Sequence, residues 1–345
     1  MNSKTANNIW TILGPGILYA AAAVGVSHLV QATRAGAMFG FSMAIIVLIA
    51  CIVKYPAIRF GSEYAALAKQ SLIHSYREQG WAAYSVYVVS QLTTMVFVVA
   101  AISLFTLGLI QAAFSFEISR ITGVASLLAA MVVLFVSGGY RLIESLSKLI
   151  VLAFSALLIV AVWAVSQNLD PNVSLVASIP FDTATFLFVI ALVGFMPSPT
   201  DASVLQSLWI RAKAQQSGAF PNIAAARLDF NVGYILSVIL ALAFVFLGSG
   251  ILFGSGQQIS PSNSGFAAQF LQLFTQTLGT WSFPIIASTA ILVMVSTLMT
   301  VLDGMTRVAT EILFGNREAS VQRRIPTPFF FVLIVLCAAA VIVIA

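Results

Sequence analysis

The sequence predicts an all-α polytopic membrane protein in which two inverted sets of helices carry discontinuous first and sixth helices. Three observations predict it. The chain is 60% hydrophobic and only 8% charged, whereas a soluble protein carries about 25% charged residues. Its apolar runs are long enough to cross a bilayer. Two of these runs hold helix-breaking residues: ILGPGILYAAAAVGVSHLVQAT over 12–33, and GFMPSPTD within 184–209. Interrupted spans at matching places in two halves mark an inverted repeat with its site at the breaks.

The elements follow from apolar runs bounded by charge, Gly and Pro. They give nine spans, roughly 12–33, 38–60, 82–110, 121–137, 146–166, 184–209, 231–253, 284–306 and 328–345. Continuous apolar runs exclude the alternating signature of a barrel. A first unit of five helices occupies 1–167. A second, over 182–345, has four and lacks a tenth, which implies a truncated product or a lost closing helix. The short polar start, MNSKTANN, precedes a run without a cleavage site, so 12–33 is a first span and no signal peptide. Between the spans, 61–81 is a polar connector, 167–183 is a loop with Asp170-Pro171, and 254–282 is a long loop ending in a short surface helix.

Charge sets the orientation. With a cytoplasmic N-terminus, all of the 16 Lys and Arg residues except Arg34 and Arg120 fall on the cytoplasmic side. That is a strong positive-inside bias. The net charge of +5 therefore reads as topology in a plasma membrane, expected to be a bacterial inner membrane, and no basic patch with stacking aromatics supports nucleic-acid binding. Cys51 and Cys337 lie in apolar runs, as small packing residues rather than a disulfide or metal pair.

The breaks hold the candidate site. Unwinding frees carbonyls and amides, which are tolerated in a membrane only where they face protein, water or a bound solute. In the first span Gly25 allows unwinding, while Ser27 and His28 supply polar side chains. His28 is the only histidine in a span, and its ring can bind a metal, a proton or a polar solute, or make a plain interhelical hydrogen bond. Gln31, three residues on, is expected on the same helix face. Gly14-Pro15-Gly16 reads as a helix start, since proline suits the first turn. In the sixth span Met196-Pro197-Ser198-Pro199 forces a break, because each proline removes an amide donor. The carbonyls of Val193 and Gly194 lose their partners there. Met196 offers a soft thioether or simple packing. Asp201 is the most suggestive acid, since intramembrane carboxylates are costly, although it also suits a helix start.

Further along, Asp303 and Arg307 are four apart and can pair as an inner gate or as an interfacial ion pair. Thr289, Ser296, Thr297 and Thr300 form a polar stripe on the same helix, lining a path or joining helices. Glu63, Arg141 and Glu144 fall near the inner surface. No phosphate loop, CxxC, HExxH or nucleophile elbow is present, and two histidines are too few for a haem or multi-histidine enzyme. No enzymatic activity and no resident cofactor are expected.

The stretch GPGILYAAAAVGVSHLVQATRAGAMFGFS resembles the first helix and following turn of the Nramp family of proton-coupled divalent-metal transporters. Gly14-Pro15-Gly16 and Ala35-Gly36-Ala37 with Gly40 match at the same spacing, and Met196-Pro197 matches the family's Met-Pro. The resemblance implies the LeuT-type fold of the APC superfamily, with two inverted five-helix repeats. The departures fall on the metal motif. Where the family has Asp-Pro-Gly-Asn, this chain has Gly25-Val26-Ser27-His28, and the family's histidine after Met-Pro is Ser198. The family's carbonyl ligand falls at Val193.

The resemblance implies a secondary active transporter moving a divalent metal cation by alternating access, coupled to H+ or Na+. His28, Met196 and Asp201 are then the metal ligands. Losing a carboxylate leaves a buried divalent ion poorly compensated. A symporter of a small organic solute such as an amino acid stays open, as does a non-transporting membrane sensor or assembly protein.

Overall fold

The computed structural model describes residues 13–167, 169, 175–176, 178–180, 182–254, 259–260 and 263–315. The expected ninth span, 328–345, and Cys337 lie outside the described residues. The described part is helical, with one isolated antiparallel bridge between Gly40 and Val176.

The first span is broken. Helix α1, Pro15–Ala23, is followed by a π-helical turn, Ser27–Ala32, and then by α2, Thr33–Phe39. The two halves are bent by 46°. Helix α3 covers Met43–Ala68, α4 Leu72–Glu78 and α5 Trp81–Phe114. Helix α6 covers Arg120–Gln167. The sixth span is broken into α7, Thr183–Phe195, and α8, Ala202–Ser217, around a non-helical Met196–Asp201. Helix α9 covers Ile223–Ile251, α10 Asn263–Leu278 and α11 Phe283–Phe314. Among the described residues five helical stretches are long and apolar enough to cross a membrane, or six with the bent first pair, and Arg120–Phe135 is a shorter apolar helix. Both breaks fall where the sequence places them. The boundaries differ chiefly at the ends: the seventh span starts at Ile223 rather than 231, and the eighth continues to Phe314 rather than 306.

Residues 121–137 and 146–166, expected as two spans with a connector, both lie in α6, which is helical throughout. They still make two crossings. Gly123 packs on Leu107, late in α5, and Val165 packs on Gly250, late in α9. Glu144, between them, lies beside Gly14 and bonds Lys213 at the end of α8. Each leg is about 21 residues, or roughly 31 Å at 1.5 Å per residue, which is the thickness of a hydrocarbon core. A straight helix would carry Gly123 and Val165 to opposite faces. The chain therefore reverses direction near the Gly14 face, between Arg120–Phe135 and Arg141–Gln167.

Glycines set the tightest crossings. A Cβ on Gly16 would lie 1.9 Å from the Asp229 carbonyl, and one on Gly233 would lie 1.8 Å from the Gly16 carbonyl. Gly36 and Gly248 repeat this at the other end, against Val245 and Thr33. Both halves of the first span thus press their backbones onto α9, as small residues allow between membrane helices. Gly61 of α3 meets the Ser203 backbone of α8 in the same way. The glycines of the opening Gly-Pro-Gly and of Ala35-Gly36-Ala37 owe their places to packing.

Candidate solute site at the paired breaks

The first break opens at Val24–Val26, between α1 and the π-turn. Its freed carbonyls are held from within. Thr297 of α11 donates its hydroxyl to the carbonyls of Ala21 (2.8 Å) and Val24 (3.1 Å). Gly25 is required here, because a Cβ would lie 2.5 Å from the Thr297 methyl. Ser27 Oγ donates to the Ala23 carbonyl at 2.7 Å and lies 2.9 Å from His28 Nδ1. His28 is fully buried, with Nε2 2.9 Å from the Ser237 carbonyl of α9. A carbonyl cannot donate, so Nε2 carries the proton and Nδ1 faces Ser27. Both ring nitrogens are engaged by protein groups.

The π-turn changes which residues share a face. His28 and Gln31 are expected together, but each residue of a π-turn advances less around the axis than in an α-helix. His28 faces α9, while Gln31 lines a cavity on the other side.

The second break is capped by a cation. Lys54 Nζ, midway along α3, donates to the carbonyls of Gly194 (2.7 Å) and Ser198 (3.2 Å). The two breaks are tied by Tyr19 of α1, whose hydroxyl lies 2.9 Å from Ser198 Oγ and whose ring stacks on Tyr234. Met196 is fully buried in the apolar core, and Val193 packs against that core. Asp201 directly precedes α8.

Between the breaks lies a cavity of about 400 Å³. Tyr19, Ser27, Gln31, Arg34, Ser198 and Asp201 give it polar groups, and its remaining walls include Phe97, Val98 and Ile102 of α5 with Val301 of α11. Gly25, His28, Val193, Gly194 and Met196 are not among its lining residues. Gln31 Oε1 and Arg34 Nε are buried without a hydrogen-bond partner. Arg34 donates from a terminal nitrogen to the Ser260 carbonyl at 2.7 Å and lies 4.6 Å over the Phe266 ring of α10. A second cavity of about 850 Å³, lined by α3, α4 and α5, meets the first at Thr94 and Asp201.

The Gly14 face is bound by ion pairs. Glu144 takes Lys148 and Lys213, each at 2.6 Å. Glu311 takes Arg211 at 2.8 Å and the Ser71 hydroxyl at 3.0 Å. Glu63 takes Arg59 and Arg227. Arg307 grips Asp303 through two nitrogens, at 2.7 and 2.9 Å, and Trp209 of α8 donates to the same carboxylate at 3.0 Å. Asp229 of α9 accepts from the Gly14 and Gly16 amides at 2.9 and 2.7 Å, so an acid complements the positive end of α1.

Among the described residues no group of three or more His, Cys, Asp or Glu is placed to hold a metal ion. Sequence reasoning missed Lys54, Tyr19, Asp229 and Trp209. Lys54 reads as an inner-end charge by the positive-inside count, yet it stands 12 residues into a 26-residue helix, and that depth was the available signal.

The fold and the paired breaks define a polytopic membrane protein of the class with discontinuous first and sixth helices. It shares its fold with the Eremococcus coleocola manganese transporter. A mutant of that protein superimposes with a TM-score of 0.64 at 12% identity, over 100% of this chain and 72% of that one. A complex of that transporter with an aromatic bis-isothiourea substituted compound gives 0.56 at 13% identity, over 99% and 77%. No protein-family model matches the sequence. The chain is 31% identical over 326 residues to the uncharacterized protein PM0681 of Pasteurella multocida (strain Pm70), covering 92% of this chain and 75% of that protein. It belongs to the same family as that protein.

Proposed function

We propose that this chain is a secondary active transporter of the Nramp-like type, moving a small solute by alternating access around its two breaks. The observation that carries the reading is the 400 Å³ cavity between those breaks, with Asp201 at its junction with the second cavity. The two repeats would be 1–167 and 182–345. A gradient of H+ or Na+ would drive the cycle. The Gly14 face, rich in Lys and Arg, would be cytoplasmic in a bacterial inner membrane, and its ion pairs, Asp303–Arg307 among them, would form the inner gate.

A divalent metal is the second reading of the cargo. Asp201 on the cavity and the fold shared with a manganese transporter favour it. On that reading His28 would have to give up a protein partner and Met196 leave the core to join Asp201 around the ion.

Uptake into proteoliposomes tests the function. Saturable uptake of a metal (Mn²⁺ or Cd²⁺) or of an amino acid is expected under an imposed H+ or Na+ gradient. It should fall at least tenfold in Asp201→Asn. Lys54→Met should also lose at least tenfold, since it strips two carbonyls of their donor, while Lys54→Arg should retain part of the rate. Absence of saturable flux for every solute in that set would end the transport reading.

A further inference from the structure

From the second break we infer that Lys54 is its resident cation and the residue that sets the charge of the cargo: the solute carried between the breaks has no net positive charge, and a divalent metal ion is excluded. This rests on the transport reading above. The C-terminal end of a half-helix carries partial negative charge, and its unwound carbonyls are where a broken membrane helix binds a cation. Helix α7 ends in this way at Phe195, with Gly194 in its last turn. The carbonyls of Gly194 and Ser198 converge there on Lys54 Nζ, at 2.7 and 3.2 Å. An ammonium is a compact point charge with three donors and no acceptor. It therefore occupies the carbonyl site that a small metal ion would need.

The first break makes the contrast. Its Ala21 and Val24 carbonyls are held by the Thr297 hydroxyl, a neutral donor. A neutral group is thus enough to satisfy two carbonyls, and hydrogen bonding alone does not demand a charge at the second break. The charge alters the field in which the cargo sits. Arg34 and Asp201 are the charged residues that line the cavity of about 400 Å³, and Asp201 interacts electrostatically with Lys54. Two cations therefore stand against one acid. A doubly charged cation placed between them would meet net repulsion where charges are poorly screened. It would also lack ligands, since a divalent ion held by oxygen needs several and Asp201 would be its one carboxylate from the lining. Removing the ammonium reverses both conditions. The positive excess disappears, and two carbonyls are freed to join Asp201 and water in a donor set that suits Mn²⁺.

Mn²⁺ binding to the purified full-length chain in detergent tests this, read as a saturable rise in the thermal unfolding midpoint at constant ionic strength. Lys54→Met should bind Mn²⁺ at least tenfold more tightly than the parent, and Lys54→Arg, which keeps the charge, should behave as the parent does. Asp201→Asn added to Lys54→Met should remove the gain. Lys54→Gln lacks the charge but keeps an amide donor for the carbonyls, and it replaces Lys54→Met where that variant folds poorly. Saturable Mn²⁺ binding to the parent as tight as to the uncharged variants overturns the inference, as does no gain in either of them. Failure of both to fold, with Lys54→Arg folded, also overturns it, because the charge would then serve structure alone. Saturable Mn²⁺ uptake by the parent in proteoliposomes would overturn the inference and leave transport standing. A Mn²⁺ site gained in Lys54→Met, with no saturable flux of any solute through the parent, would do the reverse: the place of Lys54 in the break would stand and the transport reading would end.

Discussion

Thr297 holds the first break open with one hydroxyl shared between two carbonyls, and this fixes what its loss should do. Thr297→Val keeps the shape and strands the Ala21 and Val24 carbonyls, so roughly 1–3 kcal/mol of stability should go, read as a lowered unfolding midpoint. Asp303→Asn weakens the grip on Arg307 and the acceptor of Trp209, and it should cost about 2 kcal/mol, given that Arg307 is partly exposed. A double-mutant cycle with Trp209→Phe should show coupling between the two positions. At this scale the sequence was legible in part. Gly25, Ser27, Ser198 and Asp201 stand at the breaks because the chemistry of Gly and Pro is local. The partners were not legible. Lys54, Tyr19 and Thr297 reach the breaks from other helices, and no local pattern says which of several polar residues on a helix will point there. His28 shows the same limit: its burial against Ser237 follows from a π-turn that the apolar pattern does not reveal.

Helix α6 shows how far element boundaries follow from hydropathy. Two apolar legs of bilayer length were legible, because length and composition decide crossing. The tight join between them was not, since a polar connector can fold as a close turn or as a long loop. Crossing geometry yields a sharper expectation. Gly233→Ala would drive a methyl into the Gly16 carbonyl, and separation of α1 from α9 should cost at least about 2 kcal/mol, seen as loss of folded protein on size exclusion. Ser85→Ala, on an exposed face, should be silent. The start of α7 offers a test by pH. Asp182 accepts the Thr185 amide at 2.7 Å, which lowers its carboxyl pKa below the ordinary value. An acid depressed in the folded state stabilises above its unfolded pKa and loses that contribution as pH falls through the folded value. Amide exchange at Thr185 should therefore show less protection below about pH 4 than the amide chemistry alone predicts.

Across the whole molecule, four sets of ion pairs close the Gly14 face, centred on Glu63, Glu144, Asp303 and Glu311. They join α3, α6, α8, α9 and α11. If they form the inner gate, Glu144→Gln with Glu311→Gln should admit a membrane-impermeant thiol reagent from that face to Ser27→Cys, in a background without native cysteines. No gain in labelling would mean that these pairs hold the bundle without gating it. The positive residues of that face were legible as topology, but their carboxylate partners were not, since pairing depends on how helices rotate as they pack. The glycine crossings carry one more consequence, and it is mechanical. Where backbones touch, neighbouring helices cannot slide without a steric barrier. Gly16 with Gly233 and Gly36 with Gly248 clamp both halves of the first span to α9, and Gly61 clamps α3 to α8. Any rocking that opens one face must therefore carry α9 along with the first span as a single lever.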